Sequence, residues 1–165
     1  MALKPHRKYN GPDTDISFFM NEVQERGKLV WMSTFGSGQA LDMSVALVTA
    51  TGSQSGKTPM GVLLNDMVDV DQSRYHLNTY KDEVQKGGKV TLLRRGEILT
   101  NMLNGTLTIT PTTTMAYMGP SGLFTNVITT ISATPPVGRF LSSPDEEGYA
   151  KIEINLPMIH NTSVS

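Results

Sequence analysis

The sequence predicts a mainly β fold, a sandwich or barrel of short antiparallel strands with one N-terminal helix and an extended N-terminal arm. Three observations predict it. Runs of β-branched and aromatic residues recur about every 8–12 residues, separated by Gly, Pro and Asn-Asp turn signals. Thr supplies ten of the residues from 106 to 134, which favours strand over helix. Helical spacing of apolar residues occurs once, near the N-terminus.

Residues 1–13 read as the arm. Lys4, His6, Arg7 and Lys8 make it basic, and Pro5, Gly11 and Pro12 disfavour helix. It is either a terminus without fixed structure or a segment that orders on an acidic neighbour. Residues 14–26 read as the helix: Ile16, Phe19, Met20 and Val23 share one face. Asp13 or Thr14 caps it, Asp15 and Arg26 suit its two ends, and Gly27 fits the C′ position.

Strands follow. Lys28–Phe35 carries Val30, Trp31 and Phe35, and Gly36-Ser37-Gly38 turns it. Ser44–Thr51 and Met60–Leu64 flank the flexible loop Gly52-Ser53-Gln54-Ser55-Gly56. Residues 66–87 are polar, with strand character near Tyr75–Tyr80. Val90–Arg94 and Glu97–Leu103 read as a hairpin through Arg95-Gly96, and Thr106–Thr110 as the next strand. Met115–Met118 and Leu123–Thr125 pair through Gly119-Pro120-Ser121-Gly122, with Val127–Ile131 as an extension. Val137–Leu141 and Tyr149–Leu156 pair through Asp145-Glu146-Glu147-Gly148, where Gly supplies positive φ, and Pro157 stops the last strand. One β-rich domain thus spans 14–157, with a C-terminal tail at 158–165. Pro59-Met60-Gly61 and Pro136-Val137-Gly138 echo each other before apolar strands. Two such short matches arise readily by chance, so they mark either related units or a coincidence.

Composition bounds the function. Net charge is −1, so no basic field draws nucleic acid. There is no cysteine, hence no disulfide framework or thiolate metal site. Residues after Met1 form no apolar leader, and no apolar run nears the ~18 residues that cross a bilayer. Neither a signal peptide nor a membrane partner is expected. Charged residues are only 18% of the chain, and none lies between Glu97 and Arg139. That stretch is nonetheless apolar, and interface cores are poor in charge and rich in Tyr, Phe and Met. Leu107, Ile109, Tyr117, Leu123, Phe124 and Ile128 are the candidate subunit-interface residues. Ordinary core strands with a neutral loop are the other explanation. Phe18, Phe19, Trp31 and Phe35 are expected to pack the helix on the first strand.

Catalytic and metal signatures are weak. Gly52–Thr58 resembles a phosphate-binding loop, but its spacing is one residue short, and Pro59 opens a strand where a helix is required. Asp66, Asp69 and Asp71 lack calcium-loop spacing. His6, His76 and His160 stand apart from any second ligand. No catalytic residue, metal or cofactor is therefore assigned, and an enzyme is not expected.

Several stretches resemble the head decoration (cement) proteins of tailed bacteriophages. They are Thr14–Glu22 with Glu25-Arg26-Gly27, Pro59–Asp71, Asn78–Gln85 running into Gly88–Gly96, and Val137–Leu141 with the closing strand to Pro157. The resemblance implies a structural virion protein, a homotrimer on the outer capsid surface, made in the host cytoplasm. Its partners would be the major capsid protein and itself. Lys4, His6, Arg7, Lys8 and Tyr9 would then be the capsid-binding arm. A tail or head-completion protein shares this profile, and a carbohydrate- or protein-binding β-module is a further alternative.

Overall fold

The computed structural model describes residues 3–4, 14–33, 47–64, 83–128 and 134–156. The chain is mainly β, in line with the sequence. Its strands are β1 (Leu3–Lys4), β2 (Thr14–Met20), β3 (Gln24–Glu25), β4 (Leu29–Met32), β5 (Leu47–Thr49), β6 (Pro59–Leu63) and β7 (Glu83–Val84). Then come β8 (Lys89–Leu93), β9 (Arg95–Thr100), β10 (Met115–Met118), β11 (Phe124–Thr125), β12 (Pro136–Phe140) and β13 (Ala150–Asn155). Among the described residues a 3-10 turn, Pro120–Gly122, joins β10 to β11.

Five strands close a barrel in the order β2-β5-β4-β6-β8, and six form an open, half-barrel sheet in the order β1-β9-β13-β12-β10-β11. The helix expected over 14–26 is instead strand β2. It pairs with β8 on one side and runs parallel to β5 on the other, so two neighbours satisfy its backbone. Phe18 and Met20 point into the barrel with a period of two, while Val23, which a helical face would bury, is 49% exposed. Thr, Ile and Phe favour the pleated strand, and tertiary pairing outweighed the apolar spacing. The hairpin expected through Arg95-Gly96 is also absent. β8 neighbours β6 and β2, whereas β9 neighbours β1 and β13, so the chain runs on from barrel to half-barrel across Arg94. Gly96, at φ 141°, kinks the strand but does not reverse it.

The two sheets are copies of one plan. In the barrel Val30 pairs with Gly61 and, after a register shift, Trp31 pairs with Pro59. In the half-barrel Ala116 pairs with Gly138 and, after a register shift, Tyr117 pairs with Pro136. Trp31 and Met32 face Thr49 and Val48 as Tyr117 and Met118 face Thr125 and Phe124. A parallel contact occupies the same place in each copy: β2 with β5, which closes the first, and a lone bridge between Leu103 and Phe124 in the open second. Asn21 N–H donates to Val48 O at 3.0 Å, and Asn104 N–H to Phe124 O at 2.8 Å. The Pro-x-Gly echo therefore marks equivalent strands. Pro, lacking an N–H, sits at the shift where the ladder breaks. Two residues on, a Cβ at Gly138 would lie 1.8 Å from Glu153 O, and one at Gly61 2.8 Å from Leu92 Cβ.

Two apolar clusters follow from this plan. Phe18, Met20, Val30, Val48, Leu63, Val90 and Leu92 fill the barrel. Ile98, Met118, Phe124, Phe140, Ile152 and Ile154 fill the half-barrel, joined by Leu29, Trp31, Val62 and Leu93 from the outer face of the barrel. Strands β4, β6 and β8 are thus apolar on both faces, which explains their unbroken apolar runs. Burying Leu29, Val62 and Leu93 at this seam contributes about 2 kcal/mol each. Gly122 tightens it, since a Cβ there would meet Leu29 O at 2.2 Å. Of the aromatic group expected to pack together, Phe18 lies in the barrel, Trp31 lies at the seam, and Phe19 is half-buried with Lys89 5.9 Å above its ring. Phe35 lies outside the described residues.

Candidate interaction surface

The charge-free residues 98–128 and 134–138 supply β10 and β11 and parts of β9 and β12 in the half-barrel. Its strands alternate: Ile98, Ala116, Met118, Phe124 and Val137 point inward. The expected strand Thr106–Thr110 has the same alternation, with Leu107 and Ile109 inward, but it joins no ladder. What remains outside is Thr106, Thr108, Thr110–Thr113, Pro120, Ser121, Val127 and Ile128, all exposed. Val127 is 59% and Ile128 48% exposed, large fractions for branched apolar side chains.

The loop is held by its own polar groups. Thr110 N–H donates to Thr114 Oγ1 at 2.9 Å, and Asn126 Nδ2 to Thr108 O at 2.7 Å. Thr112 adopts φ 66° and Ser121 φ 55°, both unusual without glycine. Thr112 N–H donates to Phe140 O at 2.8 Å and Ser121 N–H to Gly52 O at 3.0 Å, bonds that hold the strained conformations in place. A Thr-rich surface braced in this way loses little entropy when covered. The outward side of β9, β12 and β13 is different. Arg139 bonds Glu153 at 2.5 Å and Lys151 bonds Glu97 at 2.8 Å, a solvated cross-strand charge array.

The structure divides the candidate interface residues. Leu107, Ile109 and Phe124 belong to the chain's own core, so their side chains are unavailable to a partner. Tyr117 and Leu123 are half-buried, and Ile128 is exposed. The missing charge thus has two causes, core strands and a neutral outer surface. Of the arm residues, Lys4 pairs with Leu99 through its backbone in β1, at the edge of the half-barrel. His6, Arg7, Lys8 and Tyr9 lie outside the described residues, as do Asp66, Asp69, Asp71, His76 and His160.

The Gly52–Thr58 loop leads into strand β6, as Pro59 indicated, so no helix N-terminus faces it. Among the described residues no group of three or more His, Asp or Glu is placed to hold a metal ion. No helix among them is long and apolar enough to cross a membrane. Glu22 was given no role from the sequence, because no motif marks it. Its Oε1 accepts from Thr49 Oγ1 at 2.5 Å, Ala50 N–H at 2.8 Å and Thr51 N–H at 2.9 Å. Burial pushes this carboxyl up, but the hydrogen bonds from Thr49, Thr51 and the Ala50 and Thr51 amides together overcome it. The result is a pKa lowered to about 2. Glu22 is a staple tying β2 to β5, with every Oε1 contact made to a structural neighbour.

The chain matches no family model, and no curated protein is similar to it.

Proposed function

We propose that this chain is a structural virion protein that binds the outside of an expanded phage capsid and stabilises it as a cement, or decoration, protein. It acts as a homotrimer, with the major capsid protein as partner. The observation that carries this reading is the braced, charge-free outer surface from Thr106 to Ile128, next to a sheet face that keeps its charges. Interface cores are depleted in charge, and covering Val127 and Ile128 adds about 1 kcal/mol each. The resemblance of Thr14–Glu22, Pro59–Asp71, Asn78–Gly96 and Val137–Leu141 to decoration proteins supplies the class of partner.

The mechanism is mass action. A clamp that binds only the expanded shell stabilises that state in proportion to its occupancy. Contacts to several subunits at once make each later contact intramolecular, and closed three-fold symmetry suits a local three-fold of a shell. Surface complementarity suffices for this work.

The test is to add purified protein to expanded capsids stripped of it, then measure copies bound and the temperature at which packaged DNA escapes. Saturable binding at fixed lattice positions with a raised release temperature is expected. Ile128→Asp should lower occupancy at least tenfold without unfolding the protein. Absence of the protein from intact virions, or specific turnover of a reagent by it, would overturn the proposal. Ring or tube assemblies at a tail or portal would replace it with a tail or head-completion role.

A further inference from the structure

The two copies differ most in one connection. In the barrel, seven residues (22–28) lead from Asn21 to Leu29, and on the way β3 forms a ladder with β7: Gln24 with Val84 and Glu25 with Glu83. In the half-barrel, ten residues (105–114) make the equivalent step from Asn104 to Met115. The counterpart of β7 there is Ser143-Pro144, placed by the shared turn that follows it. Gly88 N–H donates to Gln85 O at 3.2 Å, and Gly148 N–H to Asp145 O at 2.9 Å. Pro144 has no N–H to give a ladder. One side-chain bond, Ser143 Oγ to Ile109 O at 3.2 Å, replaces it.

A groove of about 540 Å³ opens beside this contact, its described lining including Asn101, Leu103, Thr106, Leu107, Ser143 and Pro144. Asn101 Oδ1 is buried and accepts no hydrogen bond. Neither the N–H nor the C=O of Leu107 bonds another described residue. An orphaned acceptor and one unpaired backbone residue, Leu107, are what the missing ladder leaves behind, since Thr108 O, Ile109 O and Thr110 N–H are already bonded.

We infer that this groove binds an extended, uncharged peptide strand of another protein, which completes the ladder that β3 and β7 form in the first copy. The backbone of the strand pairs with Leu107, the Asn101 carboxamide turns outward so that its buried Oδ1 accepts one of the strand's N–H groups, and alternate side chains rest on Leu103, Leu107 and Pro144. No charged side chain among the described residues lines the groove, so against these residues a charged strand would lose hydration without gaining a partner. No aromatic ring lines it among the described residues, which removes the stacking platform a sugar uses. The inference goes beyond the capsid role and holds for any protein partner.

The test is selection of a displayed library of random nine-residue peptides against the full-length protein. Uncharged peptides rich in Val, Ile and Thr are expected to be recovered. A synthetic copy of one should shift the backbone amide resonances of Leu107 and Ser143. Thr106→Trp, at an exposed position, should weaken it at least tenfold with an unchanged circular dichroism spectrum. If that variant misfolds, Asn101→Leu provides the measurement, with about fivefold weaker binding expected. Recovery of no peptide, or of peptides that shift a different surface, would overturn the inference. So would maltohexaose or chitohexaose shifting the Leu107 and Ser143 amides while the peptides do not.

Discussion

The barrel and the half-barrel share a strand order and a break in register, yet they spend their residues differently. The barrel is closed by a true parallel pairing, braced by β3 on β7, and tied by Glu22. The half-barrel stays open with one bridge across it, lacks the brace among its described residues, and turns a neutral surface and a groove outward. A strand plan that recurs need not recur in its connections. Loops carry the difference because the ladders leave them the freedom to vary.

The largest test of this comparison truncates equivalent core residues. Phe140→Ala should cost about 3–5 kcal/mol and Leu63→Ala about 2–5, since each empties the centre of one copy. Because the clusters meet at Trp31, the only tryptophan, its fluorescence and the far-ultraviolet circular dichroism should lose structure in one coincident transition. Two separated transitions would show that the copies fold independently.

The glycine pair sharpens the equivalence. Gly138→Ala forces a Cβ into the Glu153 carbonyl and should cost at least about 3 kcal/mol, whereas Gly61→Ala meets Leu92 Cβ at 2.8 Å and Leu93 O at 3.0 Å, a smaller overlap, and should cost less, about 1–3. Equal costs in chemical denaturation would remove the distinction between the two close approaches.

Glu22 separates the copies by pH. Its folded pKa, about 2, lies below the ordinary value of 4.5, so its contribution is complete above about pH 4.5 and fades as pH falls toward 2. Wild type should lose on the order of 1–2 kcal/mol across that window, the full linkage value being reduced by solvent screening at this partly exposed carboxyl. Glu22→Gln should be less stable at neutral pH and show a flatter acid profile. An unchanged profile would mean that the staple is not what the acid titrates.

The smallest effect is expected at the surface. Ile128→Ser should change stability by less than about 0.5 kcal/mol, because the side chain is half exposed. A larger loss in thermal unfolding would mean that the side chain packs on the chain itself.

Much of this was legible in the sequence. The β class, the Asp145–Gly148 hairpin and the Met115–Thr125 hairpin followed from turn chemistry. Asp145 Oδ1 accepts from Glu147 and Tyr149 amides, and Gly148 takes φ 81°, as such a turn demands. Strand β2 was hidden because Ile16, Phe19, Met20 and Val23 satisfy a helical period while Phe18 and Met20 satisfy a strand period. Only the neighbours β5 and β8, distant in sequence, decide between them. The passage through Arg94 was hidden for a related reason, since Arg-Gly suits both a turn and a kink. The duplication left a trace of three residues per copy, too short to distinguish from chance. The groove left none, because Asn101 and Ser143 meet only through folding.

The uninterrupted run from Leu93 through Arg94 into Arg95 also decides how the molecule bears force. Leu156 N–H donates to Arg94 O at 2.8 Å, so the last strand is stitched to the crossing point. Ser121 N–H to Gly52 O at 3.0 Å and Thr100 Oγ1 to Gly27 O at 3.3 Å cross between the halves as well, so tension on one half must break these bonds before the other can swing away. A junction held by a continuous strand and these cross-bonds resists bending more than a single connecting segment would.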